Sequence, residues 1–354
     1  MTGIESRPSP PDQDLLAQSP FLKACRGQKV PYTPVWLMRQ AGRYQEWYRG
    51  LRSQHYFLDL CKNPQLAAEV TVRAVQDIRP DAAILFSDIL LIVETMGLEL
   101  TFNQGEGPAI ASPVRDVMGL CTLREIDPDE LGFVYEAIHL ARHELPANIP
   151  LIGFAGAPFT VASYLIEGGT SRNFERTKAF MFRHPQAWHE LMGLIARGTA
   201  GYLRGQVQAG VQAVQLFDSW AGVLGVEDYR EFVLPHSQRV LQAISEVPRI
   251  HFGRGTCGLL EAFDEAGADV VGVDFLTSLA EARQRLGSRP VQGNLDPSVL
   301  LADRDYIRQR VARILEANAG NLGHIFNLGH GVLPGTPAEN VRFLIEIVHE
   351  MTAG

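Results

Sequence analysis

The stretch PQAWHELMGLIARGTAGYLRGQVQAGVQAVQLFDSW, Pro185–Trp220, contains the structural unit that repeats along this chain. Its first part, Pro185–Ala209, has the apolar spacing of an amphipathic helix. The run AVQLF, Ala213–Phe217, is a short apolar strand, and the polar cluster Asp218–Trp220 follows it directly. A helix, a buried strand and a polar strand end in this order are typical of a parallel α/β protein.

The same unit recurs on both sides of this stretch until eight strands are counted. The predicted strands are Pro34–Met38, Ala82–Phe86, Pro150–Phe154, Ala213–Phe217, Pro248–Phe252, Asp269–Val273, Pro290–Gln292 and His324–Phe326. The clearest predicted helices are Pro64–Ile78 with Asn63 as its cap, Pro185–Ala209, Gly258–Ala266 and Pro337–Met351. Most strands are continuous apolar runs, as expected when both faces of a sheet are covered. We therefore expect an α/β fold, a single (β/α)8 TIM barrel. No GxGxxG follows the first strand, which argues against dinucleotide binding.

Polar or glycine-rich residues follow nearly every predicted strand. These clusters are Arg39-Gln40, Ser87-Asp88, Ala155–Phe159, Asp218–Trp220, Gly253-Arg254, Asp274, Gly293–Asp296 and Asn327–Gly331. In TIM barrels the active site is built from the loops at the C-terminal ends of the strands. The sequence thus predicts an active site at that end.

Composition narrows the class of protein. The chain has 354 residues, of which 46% are hydrophobic, enough for the core of one barrel. The formal net charge of −8 argues against nucleic acid as a partner. The four cysteines are scattered without a CxxC pair, which favours reduced thiols over a disulfide framework or a cysteine-rich zinc site.

The N-terminal residues 1–14 are rich in Pro, Ser and Asp, and we expect them to form a disordered lead-in to a catalytic domain over residues 15–354. They lack the basic and apolar regions of a secretory signal. No window reaches about 18 apolar residues, so no membrane span is expected. The chain is predicted to be a soluble, cytoplasmic protein.

An arginine cluster follows the first strand. The segment RQAGRYQEWYRGLR, Arg39–Arg52, carries Arg39, Arg43, Arg49 and Arg52 against one acid, Glu46. Guanidinium groups bind carboxylates in a bidentate way, so the cluster favours a polycarboxylate ligand. The alternative, which applies most to Arg49 and Arg52, is a solvated loop whose arginines make surface pairs.

Asp88 follows the apolar run AILFS. A carboxylate beside a buried strand end is costly unless a partner compensates it. One interpretation is a structural ion pair with an arginine. The other is a carboxylate aimed into the barrel mouth, where it accepts N–H bonds or stabilises a cation.

Tyr164 and His330 are further candidates. Tyr164 lies in the loop and helical turn after the third strand, where small residues let a ligand approach the backbone. His330 stands among glycines after the eighth strand and is suited to bind a carboxylate or a proton. Both residue types are more often structural. No second histidine or cysteine lies near His330 at the spacing of metal ligands.

Six blocks of the chain resemble the uroporphyrinogen decarboxylase family, in family order from about Phe21 to the C-terminus. They are PVWLMRQAGRY (Pro34–Tyr44), DAAILFSDIL (Asp81–Leu90), PLIGFAGAPFTVASYLIEGG (Pro150–Gly169), QLFDSWAG (Gln215–Gly222), VQGNLDPSVL (Val291–Leu300) and IFNLGHGVLPGTP (Ile325–Pro337). The resemblance implies a TIM-barrel homodimer that needs no cofactor and no metal. Its reaction would convert the four acetate side chains of uroporphyrinogen to methyl groups and give coproporphyrinogen.

The resemblance also implies roles for individual residues. The run Arg39–Arg43 would bind substrate carboxylates, and Asp88 would accept hydrogen bonds from pyrrole N–H groups. Tyr164, Ser219 and His330 would line the cleft. The residues carried over in this way are Arg39, Gln40, Ala41, Gly42, Arg43, Phe57, Asp88, Tyr164, Phe217, Ser219 and His330, with Asp88, Arg39 and Tyr164 as catalytic candidates.

Simple chemistry agrees with these roles. Uroporphyrinogen carries eight carboxylates, which suits an arginine-rich mouth on an acidic protein. Protonation of a pyrrole carbon turns the ring into an electron sink, and a nearby aspartate would stabilise that cation. Arg39 is a candidate for handling the proton, although arginine gives up protons reluctantly, and a water or the substrate itself is the alternative donor.

Two segments depart from the family pattern. A Pro-Glu-aromatic triplet is usual shortly after GRY, whereas this chain reads GRYQEWYRGLR, without the proline. This departure bears on the expected roles of Arg49 and Arg52 more than on those of Arg39 and Arg43. The loop HFGRGTCG after the fifth strand varies in the family. No role is carried over to Arg254, which is placed to help bind carboxylates.

Two other functions fit the pattern less well. One is a zinc- and corrinoid-linked methyltransferase of the same superfamily, which would need a His-x-Cys pair after the fifth strand. Here His251 is followed by Phe252 and Gly253, and the nearest cysteine is Cys257. The other is a tetrapyrrole-binding protein without turnover, which would not need Asp88 at the barrel mouth.

Overall fold

The computed structural model describes residues 13–103 and 107–354 as an α/β barrel. The strands are β1 Ala83–Ile84, β2 Leu100–Asn103, β3 Gly107–Ile110, β4 Leu151–Gly156, β5 Ala213–Asp218, β6 Arg249–Gly253, β7 Val270–Gly272, β8 Val291–Gln292 and β9 His324–Ile325. The helices are α1 Gln13–Ala17, α2 Pro20–Cys25, α3 Glu46–Gln54, α4 Phe57–Lys62, α5 Pro64–Ile78, α6 Leu91–Thr95, α7 Val117–Leu120, α8 Gly132–Glu144, α9 Pro158–Glu167, α10 Glu175–Arg183, α11 Pro185–Ala209, α12 Val226–Phe232, α13 Leu234–Gln242, α14 Leu260–Glu265, α15 Leu279–Leu286, α16 Arg304–Ala317 and α17 Ala338–Thr352.

Seven strands form one curled parallel sheet in the order β1-β4-β5-β6-β7-β8-β9. Neighbours in space are neighbours in sequence, apart from the small antiparallel hairpin β2–β3, which the sequence did not predict. Helices connect successive strands, because parallel neighbours need crossover connections. The predicted TIM-barrel fold is thus confirmed.

The predicted first strand, Pro34–Met38, closes the barrel as an extended segment with one bridge. Val35 pairs in parallel with Phe326, and the Phe326 N–H donates to the Pro34 carbonyl at 2.9 Å. On its other side the Asp81 N–H donates to the Val35 carbonyl at 2.7 Å. A longer ladder does not form there because Pro34 has no N–H and the Val35 N–H donates to the Asp81 carboxylate at 2.7 Å.

Helix boundaries follow the local chemistry that the sequence indicates. α5 begins at Pro64, and the Asn63 side chain accepts the Leu66 N–H at 3.0 Å, as predicted. α11 has the predicted bounds, Pro185–Ala209. The helix predicted over Gly258–Ala266 is split into a 3-10 turn, Cys257–Leu259, and α14.

The barrel interior is apolar at its centre and polar one layer higher. Its lowest layer is an apolar cluster that includes Trp36, Ala82, Ile152, Ala213, Ile250, Val270 and Ile325. Above it, Gln292 accepts the Trp36 indole N–H at 2.8 Å and donates to Gln215 at 2.9 Å. The buried Gln292 amide is tolerated because both of its polar atoms are hydrogen-bonded, whereas the Gln215 Nε2 has no partner among the described residues. This layer supports the strand ends that form the mouth.

The predicted lead-in, residues 1–14, falls outside the described residues over its first twelve positions, and α1 begins at Gln13. None of the helices in the described part of the chain is both long and apolar enough to cross a membrane.

Candidate active site

Arg39 lies at the barrel mouth, directly after the closing segment Pro34–Met38. Its backbone is left-handed (φ 61°), which turns the chain sharply as it leaves the closing segment. Its stem crosses Gly331, where a Cβ atom would lie 2.5 Å from the Arg39 Cδ. Only a glycine leaves room for this stem. The guanidinium is exposed and affects the pKa values of Asp88, Tyr164 and His330 together. Three residues from different strand ends thus converge on one cation.

Asp88 lies at the mouth, four residues after β1. Its Oδ1 accepts the Leu90 N–H at 2.8 Å, which fixes the carboxylate in a tight turn. Burial raises the pKa of Asp88 to about 6, while the Leu90 N–H and the Arg39 cation act against that rise. In the described part of the chain, Oδ2 has no hydrogen-bond partner. The carboxylate therefore has acceptor capacity left for a ligand.

Tyr164 projects from α9 and is buried. Burial first, and then the negative charge of Asp88, raise the pKa of its phenol to about 12. Its ring centroid lies 6.0 Å from that of Trp220. At neutral pH Tyr164 is therefore a protonated hydroxyl, able to donate a hydrogen bond beside Asp88.

His330 is half-buried at the end of the loop after β9. Burial first, and then the cations Arg39 and Arg254, lower the pKa of its imidazole to about 4. The ring is neutral at physiological pH. It offers one donor and one acceptor to a ligand without a charge of its own.

The run Arg39–Arg43 does not expose all of its side chains. Arg43 is exposed and makes no ion pair within residues 13–103 and 107–354, whereas Gln40 is only 1% exposed. The Gln40 amide accepts the Leu37 N–H and donates to the Ala82 carbonyl, both at 3.4 Å. Ala41 and Gly42 are partly exposed in the turn between the two arginines. Gln40 thus holds this turn against β1.

Arg49 and Arg52 bind backbone groups. Arg49 donates to the carbonyls of Arg43 and Tyr44 at 2.9 and 3.0 Å, and Arg52 donates to the carbonyl of His55. Arg52 also lies 5.8 Å above the ring of Phe57. These two arginines shape the loop, and the exposed Arg39 and Arg43 are the ones left to face a ligand.

Aromatic rings line the mouth beneath the polar groups. Phe57 packs against Phe86 and Phe102, with ring centroids 5.8 and 4.7 Å away. Phe217, on β5, lies between Phe154 at 5.5 Å and Phe252 at 6.0 Å. Both rings are partly exposed, as is Ser219 next to them. The site combines an apolar floor with cations at its rim, as a large organic polyanion requires.

Comparison with known proteins identifies the family. A protein-family model described as "Uroporphyrinogen decarboxylase (URO-D)" matches residues 16–351. This chain belongs to the uroporphyrinogen decarboxylase family. A uroporphyrinogen decarboxylase from Carboxydothermus hydrogenoformans is 51% identical over 94% of this chain and 96% of its own length. Those from Thermus thermophilus and Sorangium cellulosum are 51% and 52% identical, again over 94% of this chain and over 98% and 96% of their own lengths.

Solved structures of lower identity share the fold alone. A methyltransferase from Methanosarcina mazei superposes with a TM-score of 0.77 at 20% identity, over 95% of this chain and 98% of its own. A putative vitamin-B12 independent methionine synthase from Listeria monocytogenes has a TM-score of 0.55 at 11% identity, over 91% of this chain and 97% of its own. Membership of the decarboxylase family rests on the sequence matches.

The zinc alternative finds no support in the described residues. These contain no group of three or more His, Cys, Asp and Glu side chains able to hold a metal ion. His251 is buried and stacks on Phe263 at 4.1 Å, while Cys257 lies beside Glu281 and Arg285. The Cys257 sulfur and the His251 imidazole thus have different neighbours and do not form a ligand group with other described side chains.

One functional feature was missed by sequence reasoning, the buried support of the loop after β5. Asp218 is fully buried and accepts the Thr160 hydroxyl at 2.9 Å. The same hydroxyl oxygen accepts the Trp220 N–H at 3.3 Å. Burial raises the pKa of Asp218 to about 7. Asp218 thus acts through Thr160 to hold the backbone of Trp220, whose ring lies beside Tyr164. Its only sequence signal is a carboxylate at the end of an apolar strand.

Proposed function

We propose that this chain is a uroporphyrinogen decarboxylase, a carboxy-lyase that removes CO2 from the four acetate side chains of uroporphyrinogen III and yields coproporphyrinogen III. The observation that carries the proposal is the convergence of Asp88, Arg39, Tyr164 and His330 at the barrel mouth of a chain of this family. The product belongs to the synthesis of heme and other porphyrins.

Substrate binding is an electrostatic problem, because eight carboxylates must be held by an acidic protein. Arg39 and Arg43 present guanidinium groups that make no direct ion pair with a described acid, and such groups bind carboxylates through paired N–H donors. Ser219 and the neutral His330 add hydrogen-bonding groups. Phe57 and Phe217 contact the apolar macrocycle. Gln40, with Ala41 and Gly42, serves binding by holding this turn in place.

Asp88 is suited to stabilise the cation that forms when a pyrrole ring is protonated before CO2 is lost. A proton added to a pyrrole carbon leaves a cation delocalised onto the ring nitrogen, and the electrons of the C–CO2 bond then flow into that ring. A second proton at the former acetate carbon and loss of the first proton from the ring restore the pyrrole. Each acetate thus exchanges CO2 for a proton. An ionised Asp88 that accepts pyrrole N–H bonds would stabilise the cation in each of the four rounds.

Tyr164 and Arg39 complete the catalytic set. Because its pKa is raised to about 12, Tyr164 keeps its proton and can donate a hydrogen bond to a carboxylate near Asp88. Arg39 counters the charge of Asp88 and of the departing carboxylate. The proton itself comes from Arg39, from a water or from the substrate, and a guanidinium gives up its proton reluctantly.

Assembly and location are part of the same proposal. We expect a homodimer in the cytoplasm, as the family resemblance implies. Two of the four cysteines, Cys25 and Cys61, are buried and all four are unpaired, which agrees with a reducing compartment. Light scattering coupled to size exclusion would measure the dimer mass directly, and a monomer at assay concentration would contradict this part of the proposal.

The decisive experiment is a direct turnover assay. Purified protein is incubated anaerobically with uroporphyrinogen III, without added cofactor or metal, and the oxidised products are separated by carboxylate number. We expect species with seven, six, five and finally four carboxylates, unaffected by a chelator. Unchanged substrate with tight binding would support the non-catalytic carrier, and activity abolished by the chelator would point to the metal-dependent alternative.

A further inference from the structure

Arg254 lies across the barrel mouth from Arg39. Counting around the barrel from the closing segment Pro34–Met38, the order is β1, β4, β5, β6, β7, β8 and β9. β6 is therefore the fourth of the seven strands and stands opposite the closing segment. Arg254 is the residue directly after β6, as Arg39 is directly after the closing segment.

The backbone that carries Arg254 is held firmly. The Gly255 N–H donates to the buried carboxylate of Asp274, which also accepts the Leu276 N–H at 3.2 Å. Gly222 packs directly on this turn, since a Cβ atom there would lie 2.1 Å from the Arg254 carbonyl oxygen. Contacts from the loops after β5 and β7 thus fix where the Arg254 side chain begins.

The same contacts bring Arg254 close to His330. A Cβ atom on Gly329 would lie 2.0 Å from the Phe275 nitrogen, so the loop after β9 packs against the residues beside Asp274. Arg254 begins next to that carboxylate, and His330 follows Gly329. Consistent with this proximity, the charge of Arg254 is one of the two cations that depress the pKa of His330.

The Arg254 guanidinium has no direct partner in the described part of the chain. Its side chain is exposed and makes no hydrogen bond or ion pair with any residue of the described part of the chain. Arg308, on the outer helix α16, does have such a partner and pairs with Glu350 at 3.4 Å. An unpaired guanidinium on a fixed turn inside a concave site raises the local affinity for anions.

We propose that Arg254 is a substrate-binding residue that holds one carboxylate of the tetrapyrrole on the side of the mouth opposite Arg39 and Arg43. This rests on the proposed function for the identity of the ligand. A macrocycle with carboxylates on its whole periphery would then be held from two sides, with His330 between them. Because Arg254 lies on the far side of the mouth from Asp88, we infer that it acts in binding and has no part in proton transfer.

The test compares Arg254→Gln and Arg254→Lys with a matched control, Arg308→Gln, which removes the same charge from an outer helix. With uroporphyrinogen III, we expect Arg254→Gln to raise KM by about tenfold or more at little change in kcat, because a charge-assisted hydrogen bond to a carboxylate is lost. Arg254→Lys should restore part of that loss, because the charge remains without the bidentate fork. The control should keep the wild-type KM.

A second readout needs no turnover. The oxidised, unreactive uroporphyrin I is titrated into each variant, and binding is followed by fluorescence quenching. Weaker binding in Arg254→Gln alone supports the inference, even if the wild-type protein proved unable to decarboxylate uroporphyrinogen. A wild-type KM and wild-type uroporphyrin affinity in Arg254→Gln would overturn it while leaving the decarboxylase function standing.

The position of the side chain can be checked by NMR. The imidazole signals of His330, identified with a His330→Gln variant, are titrated in the wild type and in Arg254→Gln. Removing the cation should raise the pKa of His330 above its value of about 4. An unchanged titration would show that Arg254 points away from the mouth and would refute the inference.

Discussion

At the scale of single residues, the ionised state of Asp88 matters most. Asp88→Asn keeps an oxygen that can accept the Leu90 N–H, now bonded at 2.8 Å, so the turn should survive. Only the charge is removed. We expect kcat to fall by roughly 10²–10³-fold, the range seen when one preorganised electrostatic group is lost. Steady-state turnover of uroporphyrinogen III measures the effect.

A matched control exists for this substitution. Asp127 is exposed and accepts the N–H of Asp129, also two residues ahead, at 3.0 Å. Asp127→Asn should leave both kcat and the melting temperature unchanged. If Asp88→Asn retained full activity, Asp88 would have no catalytic role, and if both variants lost activity together, the effect would be a general one of charge.

The pH profile supplies an independent check on Asp88. Its pKa is raised to about 6, so the carboxylate is ionised above that pH and gains a proton below it. Because the ionised form is required, kcat/KM should fall as the pH drops through 6. The Arg39 cation lowers the pKa of Asp88, so Arg39→Gln should move this acid limb to higher pH. In Asp88→Asn the limb should vanish; its persistence at the same pH would assign the titration to another group.

At the scale of elements, the closing segment is the weakest part of the barrel ladder and depends on one side chain. Asp81 accepts the Val35 N–H at 2.7 Å and the Tyr32 hydroxyl at 3.1 Å, and it lies 2.7 Å from the His349 imidazole of α17. A single carboxylate thus joins the closing segment, the start of β1 and the last helix.

We expect Asp81→Ala to destabilise the protein by about 2–4 kcal/mol, because a buried N–H loses its acceptor and two further bonds are lost. Urea unfolding followed by circular dichroism gives the change in midpoint. His349→Ala removes one of the three contacts and should cost less. Equal losses from the two substitutions would place the stabilising interaction at the histidine instead.

At this scale the sequence predicted strands and helices correctly where local burial and capping residues determine them. Apolar runs such as Ala213–Phe217 and helix signals such as Asn63-Pro64 depend on local chemistry, and the observed elements follow them. Pro34–Met38 was predicted as an ordinary strand, but its ladder is a single bridge because Asp81, far along the chain, takes one of its N–H groups. The β2–β3 hairpin was missed, since its four-residue strands lie between longer signals.

The candidate site shows the same division between local and distant information. Polar residues a few positions after strands, such as Asp88 and His330, were predicted to lie at the mouth because all C-terminal strand ends meet at one rim. The burial of Gln40, the backbone bonds of Arg49 and the support of Trp220 by Asp218 and Thr160 depend on contacts between separate loops. No pattern within one segment of sequence encodes such contacts. The sequence therefore showed which residue types follow the strands, but it did not show which partners those side chains bind or how exposed they are.

At the scale of the whole molecule, charge is distributed unevenly. The chain carries a formal net charge of −8, yet Arg39, Arg43 and Arg254 stand unpaired at the mouth within the described residues. A polyanionic substrate is repelled by the molecule as a whole and attracted by the cleft. The attraction acts over the last ångströms of approach, where the local cations outweigh the distant acids.

This distribution predicts a strong salt dependence. The Debye length falls from about 10 Å at 0.1 M salt to about 3 Å at 1 M, so added salt screens the mouth from an approaching carboxylate. We expect kcat/KM for uroporphyrinogen III to fall several-fold over that range, with kcat nearly constant. Salt screens the approach of the substrate strongly, whereas it screens the bound substrate beside Asp88 far less.

Arg254→Gln should show a shallower salt dependence of kcat/KM, since one attracting charge is already gone, whereas Arg308→Gln should retain the wild-type slope. Rates measured in sodium chloride and in potassium chloride separate screening from binding of a particular ion. A kcat/KM that stayed constant with salt would mean that carboxylate recognition rests on neutral hydrogen bonds from groups such as Ser219 and His330, and that the arginines of the mouth serve only to shape it.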